Sequence, residues 1–449
     1  MTYRALSRRS FLKGAAGVVG AGLIGPHIAV GRVERLAPTD RLNIAGIGVG
    51  GRGASVLGSL SSENIVALCD VDDNRAANSY ERWPDAARYT DYRVLFDEMA
   101  SDIDAVAIST PDHTHAVIAL AAMQLGKHVY LEKPMAHSIK EAGVLRDAAN
   151  YYGVVTQMGN QGMAGNGVRE VCEWIWSGAI GDVHTVHAYD ETTNLPAMRG
   201  DGYPPEEPED IPDHLDWDLW LGPAPHRPYH STYAPGRWRG WWEFGNGAVG
   251  DMGVHLLNPA NWALQLGHPE SVEPIRQVGL TEEGAPESSV VRYNFPARAN
   301  MGPVTVYWYD GDEKPEAPEG VPQEEIDGQR RSSLYIGTEG ILMGYDRDPA
   351  RTMLYPDALR EDHDDQPPEM LPRSPGHSEE FIQACKGGPK PMSNFDYAAP
   401  YTQWVLLGNV ALRAGEKIEW DGERVTNEQS ANDFLHREYR DGWDLDWRA

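Results

Sequence analysis

The chain has 449 residues, 41% of them hydrophobic, enough for two domains with their own cores. Its formal net charge of -28 excludes nucleic acid and anionic membrane surfaces as ordinary partners, because such a surface repels both. Cys69, Cys172 and Cys385 lie too far apart in sequence for a ligand-like spacing, so neither a metal site nor a disulfide framework is expected.

In chain order, the first feature is Ser7-Arg8-Arg9-Ser10-Phe11-Leu12-Lys13, followed by a weakly apolar, Gly/Ala-rich run to Val30. A basic start, a short apolar middle and a small-residue exit at Ala29-Val30-Gly31 mark a secretory signal. Residues 1–31 are therefore predicted to be a twin-arginine signal peptide, which exports the protein already folded to a periplasmic or other extracytoplasmic site. The segment holds four basic residues and no acids, so its removal would take the charge to about -32. No later run is apolar enough to span a membrane, so no span is expected in the mature chain.

Residues 40–159 read as a doubly wound, parallel α/β domain. Leu42 to Ile47 is a short apolar strand, followed by Gly48-Val49-Gly50-Gly51-Arg52-Gly53 and a helix-compatible run. Glycines at those positions let the turn tighten and let backbone N–H groups approach a pyrophosphate at the helix start. A register beginning at Gly46 also fits the pattern, but it would place the first glycine inside the strand. The second strand, Ile65 to Cys69, ends at Asp70. A carboxylate there can accept both ribose hydroxyls of NAD and would repel the 2′-phosphate of NADP, so NAD is the expected cofactor. Further strands are expected at Ile103–Ser109 and His128–Leu131, and helices at Asn74–Trp83 and Thr114–Leu125.

Two strand ends carry chemistry. In Ser109-Thr110-Pro111-Asp112-His113-Thr114-His115, Thr110 and Pro111 can pack on the cofactor while Asp112 or Thr114 caps the next helix. His113 and His115 diverge at a helix start, so they are not read as a metal pair. In Tyr130-Leu131-Glu132-Lys133-Pro134, a lysine at a strand's carboxyl end points into the cofactor cleft. The expected cofactor contacts are Gly48, Gly50, Gly51, Arg52, Gly53 and Asp70 on the first half-site. Ser109, Thr110, Pro111, His115, Glu132 and Lys133 complete them on the second.

The motifs GVGGRG, CDVD, STPDHTHA and LEKP, in this order and spacing, resemble the glucose–fructose oxidoreductase and inositol dehydrogenase family (Gfo/Idh/MocA). The resemblance implies that Lys133 sits beside the nicotinamide and the substrate hydroxyl, and that the Lys133–Pro134 bond is cis. It also implies a C-terminal α+β domain with a large, mostly antiparallel open sheet, whose exposed face makes a homo-oligomer, dimer or tetramer.

Residues 160–449 fit that second domain. Helices are expected at Asn166–Ser177, His377–Cys385 and Tyr397–Ala414. Strands are expected at Asp182–Thr192, Ser289–Phe295, Val304–Tyr309, Ser333–Gly337 and Gly340–Gly344. Leu195 to Pro235 is a Pro- and acid-rich excursion not expected to be regular throughout. Asp251 and His255 are four residues apart at a predicted helix start. Spacing alone leaves two readings open: a catalytic His–carboxylate pair or a structural one. The family's Asp-x-x-x-His active-site spacing implies the first. Trp241 and Trp242 are candidate sugar-stacking residues, with Asn160, Tyr189 and Asn194 as rim candidates.

The expected activity is an NAD-dependent oxidoreductase moving a hydride from a sugar, glycoside or polyol hydroxyl. One alternative is a redox-neutral glycosidase or lyase that oxidises transiently, eliminates and re-reduces. Another is a non-catalytic sugar binder that retains NAD.

Overall fold

The structure is a computed structural model, and it describes residues 40–191, 200–344, 352–362 and 366–447. The predicted signal peptide and Asn194 lie outside the described residues.

The first domain is built on six parallel strands: β1 (Asn43–Ile47), β2 (Asn64–Cys69), β3 (Ala87–Tyr89), β4 (Ala105–Ile108), β5 (His128–Leu131) and β6 (Thr156–Met158). Their order is β3-β2-β1-β4-β5-β6, so the topology reverses between β1 and β4 and opens a crevice at their carboxyl ends. Every residue of β4 and β5 is buried, as a strand covered by helices on both faces requires. The covering helices are α1 (Arg52–Ser59), α2 (Asp73–Arg82), α3 (Tyr92–Met99), α4 (Asp112–Gln124) and α5 (Ile139–Tyr152). The expected capping of α4 by Asp112 or Thr114 does not occur. Its N-cap is Pro111, which has no side-chain donor or acceptor. Asp112 is instead the first helical residue, and its carboxylate turns toward Asn246.

The second domain carries an eight-stranded sheet in the order β13-β12-β11-β7-β10-β9-β8-β14. Its strands are β7 (Val183–Asp190), β8 (Ser271–Val278), β9 (Ser288–Phe295), β10 (Val304–Asp310), β11 (Arg331–Gly337), β12 (Ile341–Gly344), β13 (Met353–Tyr355) and β14 (Ile418–Glu419). All neighbours are antiparallel except β7 and β10. Before the sheet's first strand comes α6 (Asn166–Trp176), and two further helices lie between β13 and β14 in sequence, after a short turn of helix at Asp357–Asp362. Of these, α8 spans His377–Cys385 and α9 spans Phe395–Ala414. Trp404 of α9 wedges edge-on against Tyr293 and Phe295 of β9, with ring centroids 5.3 and 5.2 Å away. Aromatic pairs of this geometry add about 0.5–1.5 kcal/mol each beyond burial. The same helix packs on α5, so one element joins the two domains.

Among its described residues, 200–235, the excursion is largely irregular, with one short helix, α7 (Trp217–Leu221). It is nonetheless packed, because Trp217, Trp220, Tyr229, Tyr233, Trp238, Trp241 and Phe244 form a buried cluster. It straps onto the first domain by two backbone bonds, Asp73 N–H to the His214 carbonyl (3.0 Å) and Asp216 N–H to the Val71 carbonyl (2.9 Å). Among the described residues no helix is long and apolar enough to cross a membrane.

Candidate active site

The glycine turn follows β1 directly, and Gly46 lies inside that strand, which favours the register beginning at Gly48. Gly48 has φ +75°, and a Cβ there would lie 2.8 Å from the backbone of Ser109 and Thr110. A Cβ on Gly53 would lie 1.9 Å from the Gly48 carbonyl oxygen. Both positions therefore exclude a side chain, and the helix start stays bare for a ligand. Asp70 follows β2. Its two carboxylate oxygens accept from Gly50 N–H and Asp72 N–H, each at 3.0 Å. Burial pushes the Asp70 carboxyl up to about 6, against the lowering effect of those hydrogen bonds.

A cleft of about 1090 Å³, its open mouth included, runs from this turn across the crevice. Gly48, Gly50, Arg52, Asp70, Ser109, Thr110 and Pro111 line it, as expected of cofactor contacts. Ser109 lines this cleft, and its buried hydroxyl has no protein partner, an orphan polar group at the cleft wall. Residues that hold a dinucleotide there fit the geometry: bare glycines at a helix start, an oriented carboxylate and an orphan hydroxyl. Glu132 is buried one step back, accepting from Arg52 Nε (2.9 Å) and Gln161 Nε2 (2.8 Å). His115 does not line the cleft. Its ring nitrogens lie near the carbonyls of Pro134 (2.8 Å) and Thr110 (2.9 Å), and the ring donates to one of them. Burial pushes His115 down to about 4 and His113 to about 3, so neither is charged at neutral pH.

Beyond the cleft's edge at Arg239 lies a charged cluster. The Lys133–Pro134 bond is cis. Lys133 Nζ donates to the Asp251 backbone carbonyl (2.6 Å) and to its Oδ1 (2.5 Å). Arg239 Nε approaches the same oxygen at 3.3 Å. Burial alone would raise the Asp251 carboxyl, but the Lys133 and Arg239 charges override it and hold it well below the usual carboxylate range. His255 is buried nearby, and its charge acts in the same direction. The expected plain helix start is a π-helical turn, Val249–Gly253, running into an α-turn, Val254–Leu256. Such insertions redirect side chains and concentrate at functional sites.

Reasoning from sequence missed several members. Asp112 is buried beside Lys133, Arg239 and Asp251, and burial pushes its carboxyl up to about 7. Arg239, Trp220, Trp238, Arg75, Tyr92 and Trp443 line the cleft. The available signal for Arg239 was its place between tryptophans in Arg237-Trp238-Arg239-Gly240-Trp241, which reads equally well as core. The substrate candidates are placed elsewhere. Trp241 is fully buried in the aromatic cluster and donates to the Thr232 carbonyl at 2.8 Å. Trp242 lines a separate small cavity with Arg413 and Phe434. Tyr189 packs on the other side of the sheet, donating to the Ile326 carbonyl at 3.3 Å. Asn160 is buried in a network with Ser393 and Asn258. None of the four lines the cleft, because flat aromatic and amide side chains served as core and struts.

A profile described as "Oxidoreductase family, NAD-binding Rossmann fold" (Gfo/Idh/MocA) matches residues 41–160. Its companion, the family's C-terminal alpha/beta domain, matches residues 165–278, and together they take in just over half of the chain. The chain belongs to the Gfo/Idh/MocA oxidoreductase family. Its first domain is accordingly the family's NAD-binding domain. Curated relatives include a glycosyl hydrolase family 109 protein of Shewanella sp. strain ANA-3, 34% identical over 170 residues. That match covers 32% of this chain and 37% of the relative. An alpha-N-acetylgalactosaminidase of Shewanella oneidensis is 32% identical over the same length, with the same coverage. The matched part thus spans little more than a third of these relatives. Among solved structures, the WlbA dehydrogenase of Bordetella pertussis, in complex with NADH and UDP-GlcNAcA, superposes with a TM-score of 0.59 at 18% identity. That superposition covers 85% of this Gfo/Idh/MocA chain and 99% of WlbA. Aldose-aldose oxidoreductase of Caulobacter crescentus gives 0.58 at 16% identity, over 85% and 100%.

Proposed function

We propose that the protein oxidises a hydroxyl of a sugar, glycoside or polyol, with NAD retained in its cleft. The observation that carries this reading is the convergence of Lys133 and Arg239 on Asp251, with His255 beside them, at the edge of the nucleotide cleft. Bound NAD supplies the two-electron acceptor. His255 takes the hydroxyl proton, and Asp251, firmly ionised, stabilises the imidazolium that forms. Two of the three ammonium protons of Lys133 are committed to Asp251, which fixes its position. The third remains to donate to a substrate oxygen, where it would offset negative charge as it develops. A neutral Lys133 variant and His255→Ala should each slow single-turnover NAD reduction, His255→Ala by about 10²–10⁴-fold. Equal rates in wild type and both variants would refute the assignment.

The family 109 relatives favour a second reading, in which oxidation is transient and a glycosidic group is eliminated before re-reduction. The two are separated by products. Incubation with nitrophenyl glycosides releases nitrophenol without accumulating NADH or ketone in the second case, and accumulates both in the first. We further propose folded export by the twin-arginine route to an extracytoplasmic site, and a dimer or tetramer formed through the partly exposed face of the second sheet. That face carries His187 stacked on Tyr307, with ring centroids 5.1 Å apart.

A further inference from the structure

We infer that the substrate carries a carboxylate, as a uronic acid or its glycoside does, and that Arg239 is the residue that selects it. The inference rests on the sugar-oxidising reading above and names the substrate class for that site.

Arg239 is held as a rigid receptor. It sits in a single 3-10 turn, Trp238–Gly240. The Gly240 carbonyl accepts from Ala285 N–H at 2.9 Å. Gly245 presses on the turn so closely that a Cβ there would lie 2.7 Å from the Arg239 Cα. The guanidinium lies on the Trp238 ring, its Cζ 4.3 Å from the centroid. Its Nε is spent on Asp251. The two terminal nitrogens have no acceptor among the described residues, yet the side chain is 32% exposed and lines the cleft. Two parallel N–H donors on a fixed plane match the two coplanar oxygens of a carboxylate better than any single hydroxyl.

The local charge balance agrees. Lys133 and Arg239 share one firmly ionised partner, Asp251. The other carboxyl in reach, Asp112, already accepts from Asn246 (3.2 Å), and burial holds it at about 7. A cation in excess is unexpected in a chain of net charge -28. It is more unexpected in a cleft whose far end presents Asp70, Asp72 and Asp91. The cofactor's phosphates are the competing anion. They belong at the glycine turn, where Arg75 already stands, its Nη2 2.8 Å from where a Gly51 Cβ would be.

The test uses NAD-loaded protein, with glucuronate and galacturonate set against glucose and galactose. Calorimetric binding and single-turnover NAD reduction are both read in wild type, Arg239→Gln and Arg239→Lys. Wild type should bind a uronate at least about tenfold tighter than the matching hexose, the gain from one charge-assisted bidentate pair. Arg239→Gln should abolish that ratio, and Arg239→Lys should restore it only in part, since it keeps the charge and loses the fork. Reading a ratio cancels any loss that acts through Asp251. Absence of uronate binding at millimolar concentration overturns the inference. So does an unchanged ratio in Arg239→Gln, which would make Arg239 only a support for Asp251. A weakened affinity for NAD with the ratio intact assigns the fork to the cofactor and also overturns it. Arg239-dependent uronate binding without NAD reduction upholds the inference and sinks the oxidation reading instead.

Discussion

Asp251 is ionised throughout the working pH range, so its titration cannot switch the enzyme on. The groups left to do so are His255 and Asp112, and they predict different behaviour. Activity should rise with pH through neutrality, and in His255→Ala that limb should vanish from the residual rate. If it persists there and disappears in Asp112→Asn, the titrating group is Asp112. The Asp112 carboxyl is raised from 3.8 to about 7, so its protonated form is the one the fold prefers. Its stabilising contribution is complete below pH 3.8 and is lost as pH rises through 7. Asp112→Asn should therefore flatten the loss of thermal stability between about pH 4 and 7; an unchanged slope in melting scans would show that the site is not strained in this way. Asp70 acts in the same direction around pH 6, with a different readout. Below that pH it loses the charge that accepts ribose hydroxyls, so NAD affinity should fall as pH drops through 6. Asp70→Asn should bind NAD weakly at every pH and discriminate less against NADP. A titration in which wild type and variant show the same pH dependence would exclude Asp70 from the ribose site.

At the scale of elements, one buried carboxylate organises a long connection. Glu173 of α6 is fully buried and accepts from Met370 N–H, Leu371 N–H and both terminal nitrogens of Arg373, all at 2.9–3.0 Å. Although burial opposes its ionisation, these donors lower its pKa overall. The stabilisation is present above the unfolded carboxyl's pKa and is lost as pH falls through the lowered folded value. Glu173→Ala should cost about 3–5 kcal/mol in chemical denaturation, since it strands Arg373 and two amides. A loss under about 1 kcal/mol would mean that water replaces the carboxylate. Elements of this kind explain what could be read from the sequence. The parallel strands β1, β2, β4 and β5 were legible because unbroken apolar runs ended in glycine or charged turns. Helix α5 was legible but overlooked: Ser138 accepts from Glu141 N–H while the Glu141 carboxylate accepts from Ser138 N–H, a capping box written as Ser-x-x-Glu. The π-turn was not legible, because its sequence, VGDMG, has no periodicity that separates it from an ordinary helix start. Nor was the pairing of β7 with β10, which brings together strands separated by two others in sequence. The tryptophans misled for a physical reason. A large flat ring suits a sugar face and a core equally, and only the strap's path decides that Trp220 and Trp238 face the cleft while Trp241 does not.

Over the whole molecule, the proposed export route makes its own prediction. Replacing Arg8 and Arg9 by Lys should leave folded, NAD-loaded protein in the cytoplasm; normal export of that variant, followed by fractionation, would refute the twin-arginine reading. The walls of the nucleotide cleft add a temporal constraint. One wall is the first domain, another is the strap through Leu215 and Trp220, and a third is Trp443, whose neighbour Arg440 grips the strap at Asp218 and the Gly222 carbonyl. Trp443→Ala, opening that third wall, should speed NAD release severalfold in a dilution assay without disturbing the fold; an unchanged rate would make the wall incidental. Because those walls come from stretches hundreds of residues apart, a ribosome has finished the glycine turn long before it makes the residues that close over it. Nucleotide captured early in synthesis would meet a site open on two sides and escape. A chain cut short before residue 443 would lack that third wall and should therefore shed captured nucleotide faster than the full chain does.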